Sequence, residues 1–258
     1  MTPDLFRGAG WQLLPEMFLL PAEHVALDEV LTAEVAAGRR PPTLRFWAWA
    51  APAVIIGRFQ SFKNEVDAFA AEQMGVTVVR RMSGGGAMFV QPGSTITYSL
   101  YLPDLLVQGI SIRASYQLLD AWAVEVFREI GVDAWYQPLN DITSAEGKIG
   151  GAAQARKPGV VLHHTTIAYE MNPDEMLRVL RIGREKLSDK GIASANKRVS
   201  PLRRQTDLPR EAIVERLIEG FQSRFGLDVT ALRDEELAAT RRLVADRYGT
   251  SAWTRDLP

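Results

Sequence analysis

Between Thr43 and Leu102, strand-type segments follow one another through hairpin-like connections rather than in regular βαβ alternation. "TLRFWAWA", "AVIIGRF", "VTVVRRM", "AMFV" and "STITYSLYL" are apolar or alternating, and rich in β-branched and aromatic residues. Only "EVDAFAAEQMG" breaks the series, with a short helical pattern ending at Gly75. The first two runs read as strands joined by a turn at Pro52.

Helical patterns flank and follow these strands. Residues 22–37 place Val25, Leu27, Val30, Leu31 and Val35 at roughly helical spacing before Gly38. Residues 111–130 place Leu119, Trp122, Val126 and Ile130 on one stripe, with Ser111 as cap and Gly131 as stop. Short strands are expected near 134–136 and 140–143, and "KIGGAAQARKPGVVLHHTTIAYEM" reads as two strands about a Lys-Pro-Gly turn. The remainder reads as helices over 173–181, 184–190, 210–225 and 233–247. This order predicts an α+β fold with mixed or antiparallel sheets packed with helices. With no internal repeat or linker-like stretch, residues 1–258 are read as one domain.

Bulk properties exclude several functions. A formal net charge of -1 and pI near 6.3 argue against a nucleic-acid binder. No apolar run approaches the roughly 20 residues that span a bilayer, and the N-terminus carries no secretory pattern, so a cytoplasmic protein with no membrane partner is expected. There is no cysteine, which rules out disulfides, thiolate metal sites and a cysteine nucleophile.

The stretch "VVRRMSGGGAMF" joins two of the strand-type runs. Successive backbone N–H groups of a glycine turn can converge on phosphate or carboxylate oxygens, and the missing Cβ atoms permit close approach. Arg80 and Arg81 point to opposite faces of a strand, so one lines such a site and the other meets solvent or a salt bridge. A plain hairpin turn with surface arginines accounts for the same residues. No Gly-Lys-Ser/Thr follows, so this is not a P-loop.

In "NDITSAEGKIGGAAQ", Lys148 stands between Gly147 and the pair Gly150-Gly151, where its ammonium can meet a phosphate or a developing oxyanion. An ordinary surface lysine is the alternative. Asn140 and Asp141 suit a turn, a metal or a ribose contact. His163 and His164 face opposite ways on one strand and His24 is distant in sequence, which favours hydrogen-bonding roles over a metal site. Trp47 and Trp49 share a strand face and read as core. From Arg178 to Arg204 there are nine Lys/Arg and two Asp/Glu, a strip suited either to an acidic partner domain or to solvent.

Taken together these stretches resemble the lipoate–protein ligases, within the biotin/lipoyl protein ligase-like catalytic domains. "RRMSGGGAMF" is similar to the family's R-R-x-S-G-G-G-A signature. "PAEHVALDEVL", "VIIGRFQSFKNEVD", "NDITSAEGKIGGAAQ", "VLHHTTIAYEMN", "KLSDKGIASANKRVSPL" and "RYGTSAW" resemble further family segments in the same order, over roughly residues 20–254.

The resemblance implies ATP-dependent activation of lipoate to lipoyl-AMP. Transfer to a lysine of an apo lipoyl domain would follow, on a 2-oxoacid dehydrogenase E2 subunit or the glycine cleavage H protein. It makes Lys148 the catalytic residue. It assigns ligand binding to Arg81, Ser83, Gly84, Gly85, Gly86, Ala87, Met88, Phe89, Asn140, Asp141, Gly150 and Gly151, with Asp141 also a Mg²⁺ ligand. Bipartite members carry an accessory domain or obtain it from a separate small protein, so here either a partner chain would complete adenylation or the chain would transfer only a pre-activated acyl group.

The resemblance also has gaps. Val90 and Gln91 stand where the family has His-Asp, and Ser94 where it has Asn. Thr165 follows the two histidines where glycine is usual. Octanoyl- and lipoyl-transferases of the same fold usually use a cysteine as acyl carrier, which this chain lacks. A transferase without that thiol, or a non-catalytic acyl- or nucleotide-binding homologue, is therefore the alternative reading.

Overall fold

The computed structural model describes residues 6–181 and 199–257. Its chain begins with β1 (Gln12–Leu14), β2 (Phe18–Leu19) and α1 (Pro21–Ala36), then β3 (Thr43–Trp49) and β4 (Ala53–Ile56). Two short helices, α2 (Phe62–Glu65) and α3 (Ala68–Gln73), lead to β5 (Thr77–Arg80), β6 (Met88–Val90) and β7 (Thr95–Pro103). Helix α4 (Ile112–Glu129) precedes β8 (Ala134–Gln137), β9 (Asp141–Ser144), β10 (Gly147–Lys157) and β11 (Val160–Ala168). After α5 (Pro173–Val179) come α6 (Arg210–Phe225), β12 (Asp228–Val229), α7 (Asp234–Leu243) and α8 (Ser251–Thr254). The helix expected at 184–190 lies outside the described residues.

The strands form two sheets. A large one runs β12-β1-β3-β7-β11-β10-β9-β8, with β2 also on β3, and a small one runs β5-β4-β6. The large sheet is antiparallel from β3 to β8 and parallel at its β12-β1-β3 end, as expected of a mixed sheet. The strands on either side of Pro52 belong to different sheets. Both long edges of β3 are already taken by β1 and β7, so β4 begins a new sheet. Likewise β5 and β6 do not pair with each other. They flank β4, one parallel and one antiparallel, and the glycine stretch between them crosses the end of β4 instead of closing a hairpin.

Helix signals in the sequence act as expected. Ser111 Oγ accepts from the Ala114 N–H at 3.1 Å, and Gly131 ends α4 at φ 88°. The expected single helix around residues 65–75 divides at Val66 and Asp67, and Asp67 caps the second piece by accepting from Ala70 N–H at 3.0 Å. The helix expected over 233–247 opens into a wide π-type turn over Val244–Tyr248.

One face of the large sheet packs Phe46, Tyr98 and Leu100 against Leu119 and Trp122 of α4 and Leu217 and Phe221 of α6. A Cβ on Gly220 would lie 2.3 Å from Val126 Cγ2, so the glycine sets how closely these two helices cross. The opposite face is covered by α1, with Leu27, Leu31, Tyr101 and Leu162 in one cluster. Trp47 and Trp49 are core, as expected, in a cluster that joins the large sheet to Ile55 and Val79 of the small one. The site lies on this second face, where the small sheet meets β9, β10 and β11.

Candidate functional site

In antiparallel pairing, residues directly opposite each other share a face. Asp141, Gly151, Thr166 and Thr97 form one such row across β9, β10, β11 and β7. Ala153, His164, Ser99 and Arg45 form a second row, reaching β3. Lys148, three residues before Gly151, would point to the other face of a regular strand. The β10–β9 register shifts between Lys148 and Gly150, pairing Lys148 with Thr143 and Gly151 with Asp141. This irregularity turns Lys148 onto the face of Asp141. Its Nζ then reaches Asp141 Oδ1 at 2.8 Å. The lysine side chain keeps 22% exposure while the carboxylate keeps 4%, so the ammonium is held from below and open above.

The glycines around it are spacers. A Cβ on Gly151 would lie 3.0 Å from Lys148 Nζ and 3.5 Å from Asp141 Oδ1. A Cβ on Gly150 would instead lie 2.5 Å from Ile167 Cδ1 and 2.8 Å from the Thr166 carbonyl. Asn140 serves the backbone here: its Nδ2 donates to the Ala152 carbonyl at 2.6 Å. A magnesium ligand was expected at Asp141. The carboxylate already holds the Lys148 ammonium, and among the described residues no group of three or more His, Cys, Asp or Glu could hold a metal.

The glycine stretch folds over the same face. Gly85, at φ 87°, places its Cβ position 3.5 Å from Ala153 Cβ, which joins the two motifs singled out in the sequence. Gly84 is half-buried, and Gly85 and Gly86 are exposed. Phe89, expected at the ligand, is buried with Val54 and Ile56 in the small sheet's core, and Ala87 packs against that cluster. Met88 packs on the opposite side of the small sheet.

Neither arginine meets solvent or a carboxylate. Arg80 is fully buried and donates only to carbonyls: Gly57 at 3.0 Å, Arg58 at 3.2 Å, Gln60 at 2.6 Å, Trp253 at 3.1 Å and Thr254 at 2.8 Å. Trp253 Nε1 donates back to the Arg80 carbonyl at 2.9 Å. The closing "RYGTSAW" segment thereby braces the strand that enters the glycine stretch. Arg81, expected to face a nucleotide, bonds inward to the Ile55, Gly84 and Gly86 carbonyls at 3.1, 2.5 and 2.9 Å. Its Nε donates to Ser83 Oγ at 2.9 Å. Burial lowers its guanidinium to about 10, against the opposing influence of Tyr116 and Asp28. Arg81 shapes the loop from beneath.

Adjacent histidines serve opposite faces, as their strand position requires. His163 meets Asp120 of α4 at 2.8 Å on the core side. On the site side, His164 Nδ1 lies 2.9 Å from Asp28 Oδ2 and its Nε2 lies 2.7 Å from Ser83 Oγ. Burial lowers the proton affinity of His164, a shift that Asp28 only partly offsets. Asp28 is fixed from its other oxygen by Tyr101 at 2.5 Å, Ser99 at 3.2 Å and Arg45 at 3.4 Å.

Sequence reasoning assigned no role to Asp28, Gly57 or Arg45. Asp28 did leave a signal: it lies three residues from both Val25 and Leu31, on the inward side of α1, where a carboxylate must be paired. Most of the basic strip from Arg178 to Arg204, and most of the "KLSDKGIASANKRVSPL" segment, lies outside the described residues.

Residues 20–222 match the model of the lipoyl protein ligase A/B catalytic domain. Among curated relatives, octanoyltransferase LipM of Moorella thermoacetica is 29% identical, with 95% of this chain and 97% of that one covered. Octanoyltransferase LipM of an Exiguobacterium species is 35% identical over 66% of this chain and 69% of its own length. Among solved structures, a bi-partite lipoate protein ligase of Thermoplasma acidophilum, described with its E2 lipoyl domain, superposes with a TM-score of 0.82 at 28% identity, covering 96% of this chain and 97% of that one. A lipoate-protein ligase A bound with ATP superposes with a TM-score of 0.79 at 25% identity, covering 97% and 99%.

The expected fold agrees with these likenesses, but the expected reaction does not. The curated relatives of near-full-length coverage are named octanoyltransferases, which overturns the reading of an ATP-dependent lipoate ligase. Among the described residues no helix is long and apolar enough to cross a membrane.

Proposed function

Because the chain belongs to the lipoyl protein ligase A/B catalytic domain family, we propose that it is an acyltransferase that moves an octanoyl group from a thioester donor to a lysine of an apo lipoyl domain. The acceptor is an E2 subunit of a 2-oxoacid dehydrogenase or the glycine cleavage H protein. The observation that carries this reading is the Lys148 ammonium, 2.8 Å from Asp141 and open above, beside the glycine stretch.

Acyl transfer builds negative charge on the carbonyl oxygen under attack. A cation fixed before the reaction stabilises that oxygen without reorganising, an effect worth on the order of 10²–10³ in rate for a single donor. Asp141 sets the position of Lys148, and Gly151 leaves room for it. A thioester is already activated, so the reaction needs no nucleotide, consistent with an Arg81 whose hydrogen bonds go to the loop. Over the whole reaction atoms balance: the acceptor nitrogen comes to bond the acyl carbon, the carbon–sulfur bond is broken, and one proton ends on the departing thiolate.

The test mixes the protein with an octanoyl thioester and an apo lipoyl domain, without ATP, and reads the acceptor by mass spectrometry. Addition of one octanoyl group to the acceptor lysine is expected. An acceptor unmodified until ATP and a free acid are supplied contradicts the reading.

A further inference from the structure

Resting on the acyl-transfer reading above, we propose that Ser83 is the acyl carrier of this enzyme, with His164 its general base and Asp28 the positioning residue behind it. A chain with no cysteine must either transfer the acyl group in one step or use another nucleophile. The structure holds one, already connected.

Ser83 Oγ lies 2.7 Å from His164 Nε2, and His164 Nδ1 lies 2.9 Å from Asp28 Oδ2. These are the separations of a hydroxyl, an imidazole and a carboxylate acting in relay. With Nδ1–H donated to Asp28, Nε2 is the acceptor and takes the serine proton. Asp28 cannot swing away, because Tyr101, Ser99 and Arg45 hold its other oxygen. The Arg81 Nε–H, 2.9 Å from Ser83 Oγ, stabilises the oxygen as its negative charge grows. Burial keeps His164 neutral, the form a base requires.

The neighbouring histidine shows that this arrangement is particular to one face. His163 has a carboxylate, Asp120, but also Thr165 and Tyr98 around that carboxylate, all inside the core under α4. Ser83 instead sits directly before Gly84–Gly86, and it is 1% exposed. The proposal therefore requires that this glycine segment lifts to admit the acyl carbon.

Ser83 Oγ attacks the octanoyl carbonyl while its proton moves to His164 Nε2. The carbon–sulfur bond breaks, and the thiol leaves with that proton. The acceptor amine then attacks the serine ester and gives its proton to His164. The carbon–oxygen bond breaks, and Ser83 recovers the proton.

The experiment incubates the full chain with an octanoyl thioester alone, quenches it in acid and maps the adduct by peptide mass spectrometry. One octanoyl group is expected on Ser83, stable to neutral hydroxylamine as an ester and discharged when apo lipoyl domain is added. Ser83→Ala should lose the adduct and reduce transfer about 100-fold or more. Ser83→Cys should form an adduct at the same position that neutral hydroxylamine cleaves, which separates loss of the nucleophile from loss of the fold. Transfer by Ser83→Ala at the wild-type rate overturns the serine carrier and leaves the transfer reading standing. Wild-type protein that acylates neither Ser83 nor the acceptor overturns both.

Discussion

The carbonyl oxygen of Gly85 lies 2.2 Å from the place a Cβ on Gly57 would occupy. Gly57, at the end of β4, is therefore what lets the glycine stretch lie flat over the sheet. In Gly57→Ala the stretch must move, because the obstructed atom is backbone. Displacement of a positioning element by about 1 Å can reduce rate about 100-fold. Octanoyl transfer should fall by roughly that factor while far-ultraviolet circular dichroism stays unchanged.

Gly150 and Gly151 are neighbours with different duties. Alanine at 151 crowds the tip of Lys148 at 3.0 Å, a flexible end that can yield, whereas alanine at 150 meets Ile167 Cδ1 at 2.5 Å and a carbonyl at 2.8 Å. Gly151→Ala should impair transfer with little change in Tm. Gly150→Ala should lower Tm clearly. Parallel thermal melts and rate measurements separate the two effects.

Arg80 holds carbonyls of the segment after β4 and of α8 together. Arg80→Met keeps the length of the side chain and leaves those acceptors without their donor. Buried acceptors deprived of a charged partner cost about 1–3 kcal/mol each, so a loss of about 3 kcal/mol or more is expected in denaturant unfolding.

Burial pushes the proton affinities of His24 and His164 below the ordinary histidine value, with Arg45 adding to the effect at His24 and Asp28 opposing it at His164. The unfolded chain takes up these protons near pH 6.5, and the folded chain only at lower pH. Below about pH 6.5 the unfolded state thus binds more protons, and stability falls as pH drops toward the folded values. Glu236 adds a later loss. Burial opposes its ionisation, but Arg40 and Arg233 outweigh that and hold it at about 2, so its contribution fades as pH falls below about 4.5. Unfolding free energy measured from pH 8 to 4 should decline in that order.

Helix α4 was legible because a polar cap, a stripe of apolar residues and a stop glycine all agree locally. The pairing of β3 and β4 was not, because edge occupancy depends on β1 and β7, which lie far from Pro52 in sequence. Lys148 and the glycine stretch were legible as motifs, and the structure brings them onto one face. The orientation of Lys148 depends on a register shift that no residue pattern announces. The inward turn of both arginines escaped notice for a related reason. Their acceptors are backbone carbonyls, which have no side-chain signature. The reaction was not legible in the sequence, because a shared scaffold carries both ligases and transferases.

On the proposed function, Lys148 stabilises the oxyanion of a nucleotide-independent octanoyl transfer. The most direct measurement of that role is the rate of octanoyl addition to an apo lipoyl domain from an octanoyl thioester, without ATP, for the wild type beside Lys148→Ala. Steady transfer by the wild type is expected, with a loss on the order of 10²–10³ in the variant with its fold intact. Equal rates for the two proteins would contradict it.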